Sequence, residues 1–378
     1  MRAFVGCPFA MAFLIGLSSY PLTPRRAIAQ APAEHVFVQA IHRGDVQLLK
    51  DVLRRGTPPD APLGDGTTAL MHAALHGTTE MVELLLKHGA DPRASSKDGV
   101  SALLWAVTDP NKVRLLIGYG ANPNSPSDLG NTPLMVAAAS PDGTSSVREL
   151  LEHGADITAK NKSGRTPMRF AVTGGSVETV RVLLGQAKQQ EQLSDVIDGA
   201  GPAVALAADF GFREIVQLLL QNGADPNRSV GSRGTPLHHA LMAGSTDVAH
   251  TLVENGAELT SLSQPGDTPT AVLASYTETD DPSVAQLLRE RGVDFTAAND
   301  DKQTALTWAC MRGHEQLIRI LREAGAPEGE MPSQPDVPSQ PVAQPGLSQA
   351  QLITRAVQKS VNLLQLTSDA FLDTRRNC

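Results

Sequence analysis

Two apolar patterns alternate along the chain and return about every thirty-three residues. In residues 65–91 a short run, Ala69-Leu70-Met71, leads to the small pair Ala73-Ala74, and a second run follows with Met81, Val82, Leu84, Leu85 and Leu86. Residues 232–258 repeat the plan, and Ile215, Val216, Leu218, Leu219 and Leu220 supply another second run. The spacing clusters apolar positions on one helical face rather than alternating them as in a strand, so each period predicts two helices. Thr132-Pro133, Thr166-Pro167, Thr235-Pro236 and Thr268-Pro269 mark first-helix starts. There Thr caps free amides, and Pro occupies the first position, where its missing N–H costs nothing. Small pairs such as Ala73-Ala74, Ala137-Ala138 and Ala207-Ala208 let neighbouring helices approach closely.

Glycine punctuates the period. The pairs Gly44/Gly56, Gly77/Gly89, Gly211/Gly223, Gly244/Gly256 and Gly313/Gly325 keep a separation of 12, and Gly44 to Gly77 or Gly223 to Gly256 spans 33. The first of each pair is expected to end the first helix in the left-handed conformation. The second opens an exit step, as in Gly89-Ala90-Asp91, Gly120-Ala121-Asn122 and Gly223-Ala224-Asp225, leading to turns such as Asp98-Gly99. Some units depart from the plan. The third has Thr108-Asp109-Pro110-Asn111 in place of the middle glycine, and the fourth has Ser140-Pro141-Asp142-Gly143. The fifth lacks the exit step, and residues 185–201 read as a longer polar connection where the array bends or splits. The eighth carries an extended loop, Tyr276 to Pro282.

This pattern resembles the ankyrin repeat, with its β-turn, two antiparallel helices and T-P-L-H-x-A start. Thr235-Pro236-Leu237-His238-His239-Ala240 matches that start in full. The resemblance implies an all-α solenoid of about nine helix-turn-helix units with β-turn tips, over residues 30–326. Each unit is too thin to bury its own apolar side, so layers must stack. The first unit, Glu34–Asp60, lacks the T-P start, and its polar His42, Arg43, Asp45, Gln47 and Lys50 suit an end cap. Residues 327–347, with Pro327, Pro332, Pro335, Pro338, Pro341 and Pro345, read as an extended linker. Ser348 to about Asp373 reads as an amphipathic helix with the stripe Ile353, Val357, Val361, Leu364 and Phe371.

Composition agrees with thin layers: aromatic residues are 4% of the 378, and the formal net charge of -8 argues against nucleic acid as partner. Met1-Arg2, the apolar run 3–16 and Ala27-Ile28-Ala29 read as an export signal cut after Ala29. Pro8 within the run and Arg25-Arg26 near the cut leave an uncleaved anchor or a cytoplasmic chain as competing readings. The expected location is periplasmic or secreted, in a bacterial setting, with no membrane contact beyond the signal.

The sequence carries little that points to catalysis. The chain has no phosphate-binding glycine loop, no G-x-S-x-G elbow and no H-E-x-x-H. Cys7, Cys310 and Cys378 have no metal or disulfide spacing, and Cys310 reads as a buried small residue. Cys378 ends a run similar to those preceding a C-x-x-C-H haem attachment, which suggests a truncated chain; the other reading is a frayed tail. His72 and His76, four apart with His42 in the preceding unit, read as polar positions beside a binding groove rather than as metal ligands. His88 and His153 are expected to cap helix C-termini. His238 has, by the resemblance, the family's turn-tying role. Trp105, Phe170 and Trp308 share one repeat position and read as packing between layers.

These readings give a non-catalytic scaffold that binds another protein, with no cofactor and no metal. By the resemblance, contacts come from turn tips (Asn131, Lys162, Arg165, Arg233, Asp267, Lys302) and first-helix ends (His76, Phe210, Tyr276, Arg312). Aromatics at Phe210 and Tyr276 are anchor candidates, since such residues dominate interface energetics. Two other readings stand beside it. One is the repeat-containing subunit of a truncated exported redox protein with c-type haem, or of an enzyme. The other is an effector injected into a host cell.

Overall fold

The structure, a computed structural model, describes residues 33–329 except 62, 64–65, 199–202, 230–233, 260–281, 294, 297 and 299–301. The export signal, the C-terminal helix of the sequence reading and most of the proline-rich linker lie outside the described residues. The chain divides into two compact units at Gln190/Glu191.

The N-terminal unit holds five helix pairs among its described residues. They are α1 (Ala33–His42) with α2 (Val46–Arg54), α3 (Ala69–His76) with α4 (Thr79–Lys87), α5 (Ala102–Ala106) with α6 (Pro110–Gly118), α7 (Pro133–Ala139) with α8 (Thr144–Glu152), and α9 (Pro167–Gly174) with α10 (Val177–Gln189). First helices pack on first helices, α1 to α9 in order, and second helices on second helices, α2 to α10 in order. The unit is thus two parallel rows. The C-terminal unit describes α11 (Leu193–Asp198), then α12 (Ala203–Asp209) with α13 (Arg213–Gln221), α14 (Pro236–Met242) with α15 (Thr246–Glu254), α16 (Ser283–Glu290), and α17 (Ala305–Arg312) with α18 (Glu315–Glu323). Here too α12 packs on α14, and α13, α15, α16 and α18 follow one another. Helix α11 lies where the sequence reads only as a polar connection. Its Val196 and Ile197 are buried, which gives a short helix something to hold it. The first helix of the eighth unit falls outside the described residues.

Caps start the helices as their residue types dictate. The side chains of Thr68, Ser101, Thr132 and Thr166 each accept from the amide three residues on, at 3.4 Å. Asp109 replaces the missing glycine turn by capping α6, accepting from Asn111 at 3.0 Å and Lys112 at 3.3 Å with Pro110 at the first position. The small pairs are buried: Ala73, Ala137, Ala138, Ala207 and Ala208 have 2% or less exposure, so first helices meet almost backbone to backbone.

Two sequence expectations need correction. Gly211, Gly244 and Gly313 do end first helices with positive φ, but Gly77 has φ −83°. What requires glycine there is space, since a Cβ would meet the Ala73 backbone at 2.9 Å. Cys310 is exposed rather than buried, because it sits on the outer side of α17 next to the buried Ala309.

Exit turns join successive layers through one recurring device. The residue after Gly-Ala-Asx-Pro reaches the exit glycine of the next unit: Arg93 Nε donates to Gly120 O at 2.8 Å, Asn124 Nδ2 to Gly154 O at 2.9 Å, and Asn227 Nδ2 to Gly256 O at 3.1 Å. The residue before the exit glycine folds back on its own helix. His88 and His153 place Nδ1 2.8 Å from the carbonyls of Leu84 and Glu149, and Asn222 and Asn255 donate to Leu218 and Thr251 at 2.7 Å.

Candidate protein-binding face

The first-helix row presents a stripe that the repeat itself generates. At one repeat position, four residues after the cap in the units with a capping Thr or Ser, the side chain is half-buried: Gln39, His72, Trp105, Val136 and Phe170 in the N-terminal unit, Leu206 and Trp308 in the C-terminal unit. Only His239 at this position is fully buried among those described. Its Nδ1 lies 2.8 Å from the Asp209 carboxylate of the preceding first helix. Burial on one side comes from the adjacent layer, and exposure on the other comes from the face. The sequence favours interlayer packing over a ligand contact for Trp105 and Phe170. The structure leaves both half-exposed, and the signal was their shared repeat position.

At the N-terminal end of the stripe three imidazoles gather. His42 lies 4.9 Å from His76 edge to face and 6.0 Å from His72, ring centroid to centroid, and His72 meets Trp105 edge-on at 6.0 Å. Thr67 Oγ1 is 2.9 Å from His72 Nε2. Beneath them Lys112, 7% exposed, donates from Nζ to the Ala74 carbonyl at 3.0 Å, satisfying a group that the end of α3 leaves open. Burial holds the Lys112 ammonium below its ordinary pKa, opposed by the nearby Asp109 carboxylate. Burial likewise lowers His42, and His76 is lowered by burial first, then by His42 and Lys112. No group of three His, Cys, Asp or Glu among the described residues is placed to hold a metal ion.

The tips form a second candidate surface. Ser95 bridges Ser101 and Ala298 bridges Thr304, closing small antiparallel turns. Successive tips are stitched together: Asp128 N donates to Asp98 O at 3.0 Å and Lys162 N to Leu129 O at 3.1 Å. At Gly130, φ is +79° and a Cβ would meet Lys162 N at 2.8 Å, so the stitching itself requires glycine.

The sequence-chosen contacts fall into three groups. His76, Lys162, Arg165, Lys302 and Arg312 are exposed. Asn131 is half-buried and tied to the next tip, its Oδ1 accepting from Asn161 Nδ2 at 2.8 Å, and half-buried Phe210 stacks on Phe212 at 5.5 Å. Arg233, Asp267 and Tyr276 lie outside the described residues. The sequence reading passed over Leu129, an apolar tip side chain 69% exposed, and Tyr119, 44% exposed. Tip position alone marks Leu129. His238 ties turn to helix as the resemblance implied: its Nδ1 accepts from the Thr235 amide at 3.3 Å and lies 2.8 Å from the Thr235 hydroxyl.

Stacked helix pairs, stitched tips and a variable half-buried stripe define a helical repeat solenoid of the kind that presents an extended face. Comparison with known proteins gives the family. A family model described as "Ankyrin repeats (3 copies)" matches residues 37–126, 108–195 and 189–263, and "Ankyrin repeats (many copies)" matches 273–322. The chain belongs to the ankyrin-repeat family. Its curated relatives include a transient receptor potential cation channel subfamily A member 1 homolog of Caenorhabditis elegans, 30% identical over 192 residues, and the E3 ubiquitin-protein ligase KEG of Arabidopsis thaliana, 28% identical over 225 residues. These matches take in 50% and 47% of this chain but only 15% and 14% of those proteins. The human ASB11 ankyrin repeat domain superposes with a TM-score of 0.51 at 26% identity, covering 60% of this chain and 99% of that domain. No helix among the described residues is long and apolar enough to cross a membrane.

Proposed function

We propose that the chain is a non-catalytic scaffold, exported from a bacterial cytoplasm, that grips another protein along its first-helix face and turn tips. The observation that carries this reading is the stripe. Its positions are geometrically equivalent, yet they hold Gln, His, Trp, Val and Phe in turn. A position that served only layer packing would favour one shape, whereas side chains kept half in water and chemically varied suit recognition. Exposed Leu129 and the cationic tips Lys162 and Arg165 extend the available surface. Ankyrin architecture serves binding in general, and fold leaves the partner open. The signal-like pattern of residues 1–29 supports action outside the cytoplasm.

The test uses the full chain expressed with its leader. Sequencing of the mature N-terminus is expected to begin at Gln30, and the native protein should fractionate with exported material. Cross-linking in that fraction should capture one dominant partner, and Trp105→Ala with Phe170→Ala should abolish the capture while Glu80→Gln leaves it unchanged. A cytoplasmic protein retaining Met1, or capture indifferent to the stripe, overturns the proposal.

A further inference from the structure

The imidazole cluster has a feature the binding reading does not use. The elements around it bring positive or neutral groups to the face. From α1 comes His42, from α3 His72 and His76, from α6 Lys112, and α5 brings Trp105 and no charge. The acids nearby are committed to other tasks. Asp109 accepts from the first amides of α6, Asp45 accepts from Leu48 N at 2.9 Å, and Glu80 pairs with Lys50 at 3.1 Å on the second-helix row. The two charges that act on His76 are His42 and Lys112, both basic.

We infer that this part of the N-terminal unit is a docking face for an acidic peptide segment of the partner, whose carboxylates meet His42 and His76 beside the Trp105 ring. The inference rests on the protein-binding reading and adds the partner's chemistry. Charge complementarity selects the occupant: the charges acting on His76 are basic, so a docked carboxylate meets an attractive field, and the exposed edges of His42 and His76 are N–H donors to it when protonated. With a formal net charge of -8, the chain as a whole would sooner attract a basic partner, so preference for an acidic one must come from this local field.

The geometry makes docking proton-dependent, with a definite sign. In the free protein, burial keeps His42 neutral until the pH is below the ordinary imidazole value of 6.5, and burial together with His42 and Lys112 does the same for His76. A docked carboxylate reverses the local repulsion and raises both. Binding therefore takes up protons and tightens as the pH falls from about 7.5, levelling off once the free rings are charged. The peptide's own carboxylates lose charge near pH 4, which sets the lower limit.

Fluorescence anisotropy with the full chain tests this, using a short Glu-rich peptide, its Gln counterpart and a Lys-rich peptide as probes. The Glu peptide should bind about fivefold tighter near pH 5.5 than near pH 7.5, for two partly exposed charge pairs, while the Gln and Lys peptides show no such gain. His42→Gln with His76→Gln should remove the pH dependence with an unchanged thermal melt; if that melt falls, His76→Gln alone, at the exposed end of its helix, should halve the gain. Preference for the Lys peptide, pH-independent binding of the Glu peptide, or an undiminished gain in the variants overturns the inference. If the Glu peptide fails while Trp105→Ala with Phe170→Ala still abolishes partner capture, the inference falls and the scaffold reading stands; if both fail, both fall.

Discussion

In the N-terminal unit the same repeat builds two columns of equivalent positions with opposite character. Four residues before the exit glycine, on the second helices, stand Val52, Leu85, Leu116 and Leu150, all aliphatic and all at 6% exposure or less. At one repeat position on the first helices stand Gln39, His72, Trp105, Val136 and Phe170, all half-buried and chemically unlike one another. The first column is constrained from every side by close packing, where one methylene is felt. The second is constrained on one side only. A solenoid can thus hold its architecture constant in one column while the other is free to choose a partner.

Truncation separates the columns most sharply. Leu150→Ala leaves a cavity at a site with 0% exposure and should cost about 3 kcal/mol. Phe170→Ala opens onto solvent and should cost about 1 kcal/mol, because water and neighbours refill the space. Urea denaturation of the full chain measures both. Partner capture should invert the order, surviving Leu150→Ala at temperatures where the variant is folded and failing with Phe170→Ala. Equal stability losses would make the stripe an ordinary part of the core.

A smaller effect belongs to Glu149, the one strongly buried acid of the second-helix row among the described residues. Glu149, with its side chain 6% exposed, accepts from Arg114 Nε at 2.9 Å and Nη2 at 2.6 Å, an arrangement that holds its carboxyl below the ordinary 4.5. A depressed carboxyl stabilises the fold above its unfolded pKa and loses that contribution as the pH falls through the folded value. Glu149→Gln should therefore cost about 1 kcal/mol at pH 7, since the Arg114 end of the pair remains in water. The gap from the unmodified chain should close as thermal melts are taken down below pH 4. A gap that persists in acid would assign the loss to packing instead.

The first column was readable from sequence because close packing leaves few choices. Leu85 and Leu150 keep both period and type, and the capping Thr and exit Gly are forced by backbone chemistry at Thr132 or Gly120. What stayed hidden depends on neighbours distant in sequence. Gly77 looks like every other middle glycine, but Ala73 sets its requirement, not a left-handed turn. Cys310 shares a helix with buried residues, and its side of that helix shows only after the layers stack. Phe210 reads as an anchor at a helix end, yet its ring lies against Phe212, two residues on, across a turn whose path the sequence does not specify. Of the candidate face, the histidines beside the groove were legible from their spacing. The half-exposure of Trp105 and Phe170 was not, since recurrence fits packing and recognition equally.

The weakest expected effect concerns the outer surface of the second-helix row. Lys50 pairs with Glu80 at 3.1 Å, joining the first and second layers, and the two side chains are 35% and 60% exposed. Arg289 and Glu323 repeat this in the C-terminal unit at 2.9 Å with about half of each side chain exposed. Such pairs gain little in water, because solvent screens the attraction and two long side chains lose freedom in meeting. Glu80→Gln should therefore shift stability by no more than about 0.5 kcal/mol, the shift shrinking further in 1 M salt, and leave partner capture intact. A loss of capture would move the recognition surface onto the second-helix row and reverse the assignment of the two columns, since the exposed charges of that row, and not the half-buried stripe, would then be choosing the partner.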